Sequence, residues 1–407
     1  MGPQALTVSE IIDQQPLSRF QIRTIVLCGL VLVLDGYDAL AMGYLVNPVA
    51  DATGIPVHSF GPILSASLLG LMVAALGTGP IADRLGRKWP VIVSALAFAV
   101  FAILTAHATT LIQFFLCRFL TGLGLGGAIP NVVALASEYS PRPKLPIVVA
   151  MLFTGMPIGG WLCGLLSSVL IPTWGWRWVL YIGGIVPLAI ALILIVALPE
   201  SVRFLVVRGK DTQKVRRILD RVSRRFSSGQ IELSSRSDEQ PRRGVPVKHL
   251  FTEGRALGTI FLWIPNFLNL LLLYFINSWL PALLRESGMS VSRGVTAAAF
   301  VSFGGVFACL AEGFLLNRAG AHRTLVTEFV LAGLLIAGLS YLLHPFGLAL
   351  AVTFVLGFQV IGAQAGLNAL AANFYPTSIR STGVGWALGV GRVGAIVGPV
   401  LAGMLLT

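Results

Sequence analysis

Asp35 and Asp38 stand three residues apart inside a long apolar run, residues 21–46, so on a helix they share one face. A carboxylate at the centre of a membrane helix costs about 2.5–3.5 kcal/mol on insertion scales, so it must face a cavity or a partner. Burial and mutual repulsion disfavour two charges at such a place, which makes the pair a candidate proton site. The alternative is a permanent ion pair that joins helices. Two arginines inside other apolar runs are the natural counter-charges, Arg118 and Arg392. At 1.5 Å per residue, Asp35 lies about 18 Å from Arg23, and Arg392 about 18 Å from Arg380. Arg118 sits about 12 Å past Thr110 on the opposite side of a core about 30 Å thick, so the three reach one level. A carboxylate facing two guanidinium groups suits the coupling of a proton to an anion.

A guanidinium fork also binds a carboxylate through two parallel hydrogen bonds. Arg392 is the candidate for that task, because Gly389, Gly391 and Gly394 leave room beside it. A bridge to Glu312 or to the first helix is the competing reading. Polar groups that can line the same level are Tyr274, Asn277, Gln364 and Asn368, with Asn266, Asn269 and Gln359. Tyr37, Phe153, Trp161, Trp279 and Trp386 can stack on an aromatic ring. Each of these side chains serves equally well as packing or as an interhelical hydrogen bond, and Trp279 as an interfacial anchor.

The elements that position these residues follow from composition. Of 407 residues, 56% are hydrophobic and 11% charged, against about 25% charged in a soluble domain. So few charges cannot cover a water-exposed surface, and lipid must be the solvent for much of the chain. A bilayer core needs about 20 apolar residues per helix. Eleven stretches qualify: residues 21–46, 59–80, 89–107, 110–137, 145–170, 178–198, 257–283, 295–316, 324–343, 347–373 and 381–406. The net charge of +12 invites thoughts of nucleic acid, but its position argues otherwise. All Lys and Arg except Arg118, Arg177, Arg285, Arg293 and Arg392 fall in the N-terminal segment and alternate loops. That asymmetry places the N-terminus in the cytoplasm.

Residues 199–256 are polar and divide the first six spans (1–198) from the last five (257–407). Within them Val215, Ile218, Leu219, Val222 and Phe226 recur at helical spacing between arginines, with Asp211 as N-cap. The pattern reads either as an amphipathic helix on the membrane surface or as a solvated linker helix. The halves echo each other. Residues 79–86 and 313–320 match at an offset of 234, and Asn131 with Tyr139-Ser140-Pro141 matches Asn368 with Tyr375-Pro376-Thr377. Duplicated bundles place a ligand site between them near the midplane. A doubled six-helix unit has twelve spans, and the sequence shows eleven: either the twelfth is lost by truncation, the favoured reading, or the C-terminus is extracytoplasmic. The four cysteines lie in apolar runs, and the five histidines in loops or at helix ends, so no metal, cofactor or catalytic constellation is expected.

These residues carry a family resemblance. Gly79 to Lys88 resembles the loop signature of the major facilitator superfamily, and Arg118 to Gly126 its fourth-helix motif. Leu34-Asp35-Gly36-Tyr37-Asp38 and the stretch from Asn368 to Gly398 resemble the aromatic acid:proton symporters, the group of 4-hydroxybenzoate and benzoate transporters. The resemblance implies an all-α membrane fold of two six-helix bundles, eleven helices being visible. It also implies import of an aromatic carboxylate with protons across a bacterial inner membrane, with lipid around it and no obligate protein partner. Asp35, Asp38 and Arg118 would couple protons, although in the superfamily Arg118 mainly ties helices together. Asp83, Arg84, Gly86 and Arg87 would act in gating. The second loop departs from the pattern, with Asn317 where the family has Asp. A sugar or other organic-anion porter and a membrane sensor that does not transport are the competing functions.

Overall fold

The computed structural model describes residues 4–207, 212–223, 231–233, 247–342, 345–376 and 379–405, without the side chains of a few of these, Asp83 among them. A short helix α1 (Val8–Asp13) precedes the first long one, α2 (Arg19–Thr53). Four further long helices follow with short turns: α3 (Gly61–Leu85), α4 (Lys88–Thr105), α5 (Leu111–Glu138) and α6 (Leu145–Trp174). After α7 (Arg177–Ala197) come the linker helices α8 (Val202–Val207) and α9 (Thr212–Val222). The last five are α10 (Ala256–Glu286), α11 (Val291–Ala319), α12 (Ala321–Ala337), α13 (Phe346–Phe374) and α14 (Arg380–Leu405).

Eleven long helices therefore stand where eleven apolar stretches were expected. Ten are long and apolar enough to cross a membrane; α12, with 17 residues, is the shortest of the eleven. The chain is a multi-pass membrane protein. Capping sets several boundaries. Ser18 accepts from the Gln21 amide and Gln21 reaches back to Ser18, a reciprocal box repeated by Thr110 and Gln113 at α5. Two three-residue strands, Gln4–Leu6 and Ile231–Leu233, pair in parallel, an addition to the all-helical expectation.

The duplication is visible in the packing. A Cβ on Gly122 of α5 would fall on the Ser67 carbonyl of α3, and one on Gly357 of α13 on the Val301 carbonyl of α11. Ser67 and Val301 lie 234 residues apart, the offset of the loop echo, and Gly122 and Gly357 lie 235 apart, within one residue of it. Only glycine permits backbones this close.

The linker helix keeps its charged face exposed and gives its apolar face a protein partner. Val215, Ile218, Leu219 and Val222 of α9 are buried, joining one apolar cluster with Ile11 of α1, Cys28 of α2 and Leu198 after α7. The apolar face of the helix thus docks on the first half. Asp211 and Phe226 lie outside the described residues.

The two halves meet at one end. Ser65 Oγ donates to the Ile396 carbonyl (2.6 Å), Asp51 pairs with Arg285 (2.8 Å), and Gly43 abuts the Asn277 backbone. Trp161 stacks on Phe303 across the same interface. These contacts lie toward the end opposite the Arg-rich loops.

Candidate functional site

The packing of α2 decides what each acid meets. Asp38 is 3% and Arg118 1% exposed, and their Oδ1 and Nη1 atoms are 2.5 Å apart. Arg118 Nη2 also donates to the Asp38 carbonyl (3.2 Å) and to Ser67 Oγ (3.3 Å), so one guanidinium ties α2, α3 and α5. Removing either partner would leave a buried charge alone, at a cost of about 3–5 kcal/mol. Sequence reasoning did not find Ser67, whose only signal is a hydroxyl in an apolar span.

Asp35 has a different neighbourhood. It is 2% exposed, and its Oδ2 has no hydrogen-bond partner among the described residues. Arg392, on α14 in the other half, and Asp38 both act on it electrostatically. Tyr274 of α10 feels Asp35 and Arg392 alike. Asp35 and Tyr274 therefore lie within electrostatic reach of Arg392, which the other half supplies to Asp35. Arg392 is half-buried and makes no hydrogen bond or ion pair among the described residues. The bridge to Glu312 does not form, since both Glu312 carboxyl oxygens lack partners.

The remaining candidates divide. Asn277 Oδ1 is buried without a partner, close to where α10 meets Gly43 of α2. Gln364 and Asn368 belong to an amide ladder. Asn269 donates to Gln364 Oε1 (3.0 Å), and Gln364 donates to Asn266 Oδ1 (3.1 Å) and Asn368 Oδ1 (3.2 Å). This ladder fastens α10 to α13. Trp386 stacks on Trp263 with centroids 5.9 Å apart. Tyr37 is not brought to Arg392: its hydroxyl donates to the Val179 carbonyl of α7 (3.0 Å), and its ring lies against Gly183. Trp279 is neither an anchor nor a stacking platform but fully buried, donating to the Pro399 carbonyl (2.9 Å).

The loop signature is built around Glu200, at the end of the last span of the first half. Its Oε1 accepts from the amides of Arg87 (2.7 Å), Lys88 (3.1 Å) and Ser201 (2.9 Å), an anion set at the start of α4. Gly86 makes this possible: its φ is 92°, and a Cβ there would strike the Glu200 carboxyl. Arg87 pairs with Glu138 (2.8 Å), which also accepts from Ser201 Oγ (2.5 Å). Arg87 and Gly86 thus tie elements of the first half to one another, Arg84 is exposed, and the Asp83 side chain lies outside the described residues. Sequence reasoning missed Glu138; an acid closing an apolar span beside Tyr139-Ser140-Pro141 was the available signal. A cavity of about 240 Å³ opens here, lined by Ser9, Arg87, Glu138, Arg142 and Arg203, away from Asp35.

Gly86→Ala is expected to lower stability by about 1–3 kcal/mol, because an L-residue is strained at this φ and Glu200 must move as well. Thermal unfolding in detergent tests this. An unchanged midpoint would mean that the turn relaxes without loss.

Comparison with known proteins supplies the lineage. Residues 26–404 match the profile of the Major Facilitator Superfamily. The 4-hydroxybenzoate transporter PcaK of Pseudomonas putida is 39% identical over 97% of this chain and 88% of its own length. The gallate transporter of Pseudomonas putida is 36% identical over 99% of this chain and 89% of its own. Among solved structures, the partially occluded inward open xylose transporter XylE from E. coli superposes with a TM-score of 0.70. It covers 94% of this chain and 92% of that one at 17% identity, a likeness of fold alone.

Proposed function

The chain belongs to the major facilitator superfamily, a transporter family rather than an enzyme family, and from that premise we propose that it imports an aromatic carboxylate together with protons by alternating access. Relatives named for 4-hydroxybenzoate and gallate supply the substrate class. The observation that carries the reading is Arg392, without an ion pair among the described residues and within electrostatic reach of Asp35 and Tyr274.

Charge balance links the two ligands. In the empty site an ionised Asp35 answers the charge of Arg392. A substrate carboxylate arriving at Arg392 would leave two anions against one cation in a low-dielectric site. A proton taken up by Asp35 restores the balance, so proton and anion enter together. The Asp38–Arg118 pair holds α2 in register and keeps Asp35 at the interface. Tyr274 and Asn277 offer hydroxyl and amide contacts to the substrate ring, with Gln364, Asn368 and Trp386 further along the same half. Asp83, Arg84, Gly86 and Arg87 serve in gating; the turn that Glu200 makes with Gly86 and Arg87 supports this by letting the first half move as one body.

With the Arg-rich loops cytoplasmic and the membrane a bacterial inner membrane, the N-terminus is cytoplasmic and the contacts at Ser65, Asp51 and Gly43 close the outer side. The structure is then an inward-facing state. The 1–198 bundle, the 199–256 linker and the 257–407 bundle serve as the moving parts, rocking about the interface.

Uptake of radiolabelled benzoate and 4-hydroxybenzoate into proteoliposomes tests the proposal. Accumulation is expected under an inside-alkaline gradient and collapse with a protonophore. Uptake indifferent to the gradient would remove proton coupling, and failure with every aromatic acid would remove the substrate class.

A further inference from the structure

The second half holds another pair of buried acids, which the Asp35 group does not use. Glu312 of α11 and Glu328 of α12 are 2% and 3% exposed. Both point at α13. A Cβ built on Gly362 would stand 2.9 Å from Glu328 Oε1 and 3.2 Å from Glu312 Oε2, and one on Gly366 would stand 2.6 Å from Glu312 Oε1. The two glycines thus form a cradle that any larger residue would fill. All four carboxyl oxygens are buried without a hydrogen-bond partner among the described residues, although the two groups are within reach of one shared bond.

Among the described residues nothing around the pair neutralises it. From α11 the titratable neighbour is Cys309, one turn before Glu312. From α12, Thr324 spends its hydroxyl on the Gly320 carbonyl. From α13 come glycines and Ala363. Among the described residues no Lys, Arg or His acts on either carboxyl. Among the described residues no third acid, His or Cys completes a metal site. Two bare carboxylates in contact, inside an apolar bundle, repel each other and lose their hydration together. A single proton between them removes one charge and supplies the missing hydrogen bond.

We propose that Glu312 and Glu328 bind one proton between them, forming a proton site in the second half that is separate from Asp35 and independent of the substrate reading. Both residues lie about 10 Å from the turn joining α11 to α12, counted at 1.5 Å per residue, so the site exchanges protons with that face. Loss of the proton sets two negative charges against each other beneath α13, and α12 is driven off its neighbour. The site therefore fastens α12 to α13 only while it is occupied.

Infrared spectroscopy of the full chain in lipid bilayers tests this. At neutral pH the wild type should show a protonated-carboxyl stretching band, shifted in D2O, that the E312Q/E328Q double variant loses and the D35N variant retains. An amide pair keeps the shape and makes its own hydrogen bond, so the double variant should fold. The single variants E312Q and E328Q cover the case in which it does not, because each must move or remove the band. A proton held by the folded state alone is released as pH rises, so wild-type stability should fall by several degrees in melting midpoint toward alkaline pH. The double variant should lose that dependence. A band unchanged in the double and single variants, or absent from the wild type at neutral pH, overturns the proposal. So does stabilisation of the wild type by sodium or calcium chloride that the double variant lacks, which would put a metal cation where the proton is placed.

Discussion

Asp35→Asn is expected to abolish accumulation of substrate against a gradient while leaving exchange of substrate for substrate intact. The amide preserves the volume of the side chain but takes up no proton. Its neutrality imitates the protonated acid, so the anion still finds Arg392 uncompensated and binds. What is lost is the return step, in which an ionised Asp35 answers Arg392 in the empty site. For one proton per carboxylate, each pH unit across the membrane supports about tenfold accumulation. The variant, lacking the return step, should show no net uptake and only exchange of external label for substrate already inside. Parallel uptake and counterflow assays in proteoliposomes separate these steps. Full accumulation by the variant would move coupling away from Asp35. Asp38→Asn should behave differently: it strips the partner from Arg118, buried with it at 2.5 Å, so both assays and the melting midpoint should fall together.

That contrast marks the limit of what the sequence shows. Asp35 and Asp38 share a helix face, yet three residues at 100° each leave them about 60° apart on the wheel. That rotation separates an acid tied to Arg118 from an acid near Arg392. Periodicity reports which residues of one helix share a side; the rotation of the neighbouring helix is set by packing across the bundle. The same reasoning covers Tyr37, whose hydroxyl reaches Val179 within its own half, and Trp279, which is buried against Pro399. It also covers Glu328, which acquires meaning only beside Glu312 and the glycines of α13. The spans were legible because about 20 apolar residues are the thickness of a bilayer. The docking of α9 was not, because an amphipathic helix has the same pattern whether lipid or protein covers it.

Arg392→Lys is expected to weaken binding of aromatic carboxylates by about 10- to 100-fold, the loss of one charge-assisted hydrogen bond of about 1.5–3 kcal/mol. Charge is conserved in this change, so long-range attraction of an anion persists. The planar fork that takes both carboxylate oxygens at once is lost. Arg392 suits the test because it makes no ion pair among the described residues, so no structural tie breaks with the substitution. Gly391, against which α10 packs at the Asn266 backbone, holds α14 in place whichever cation follows it. The fold should therefore survive, as an unchanged melting midpoint would verify. Equilibrium binding should be measured with benzoate and with benzamide, which keeps the ring and removes the charge. The ratio of the two affinities should be large in the wild type and shrink in the Lys variant. If Arg392→Lys bound benzoate as tightly as the wild type, the carboxylate would be held elsewhere, and the charge-balance link between Asp35 and the substrate would fall with it.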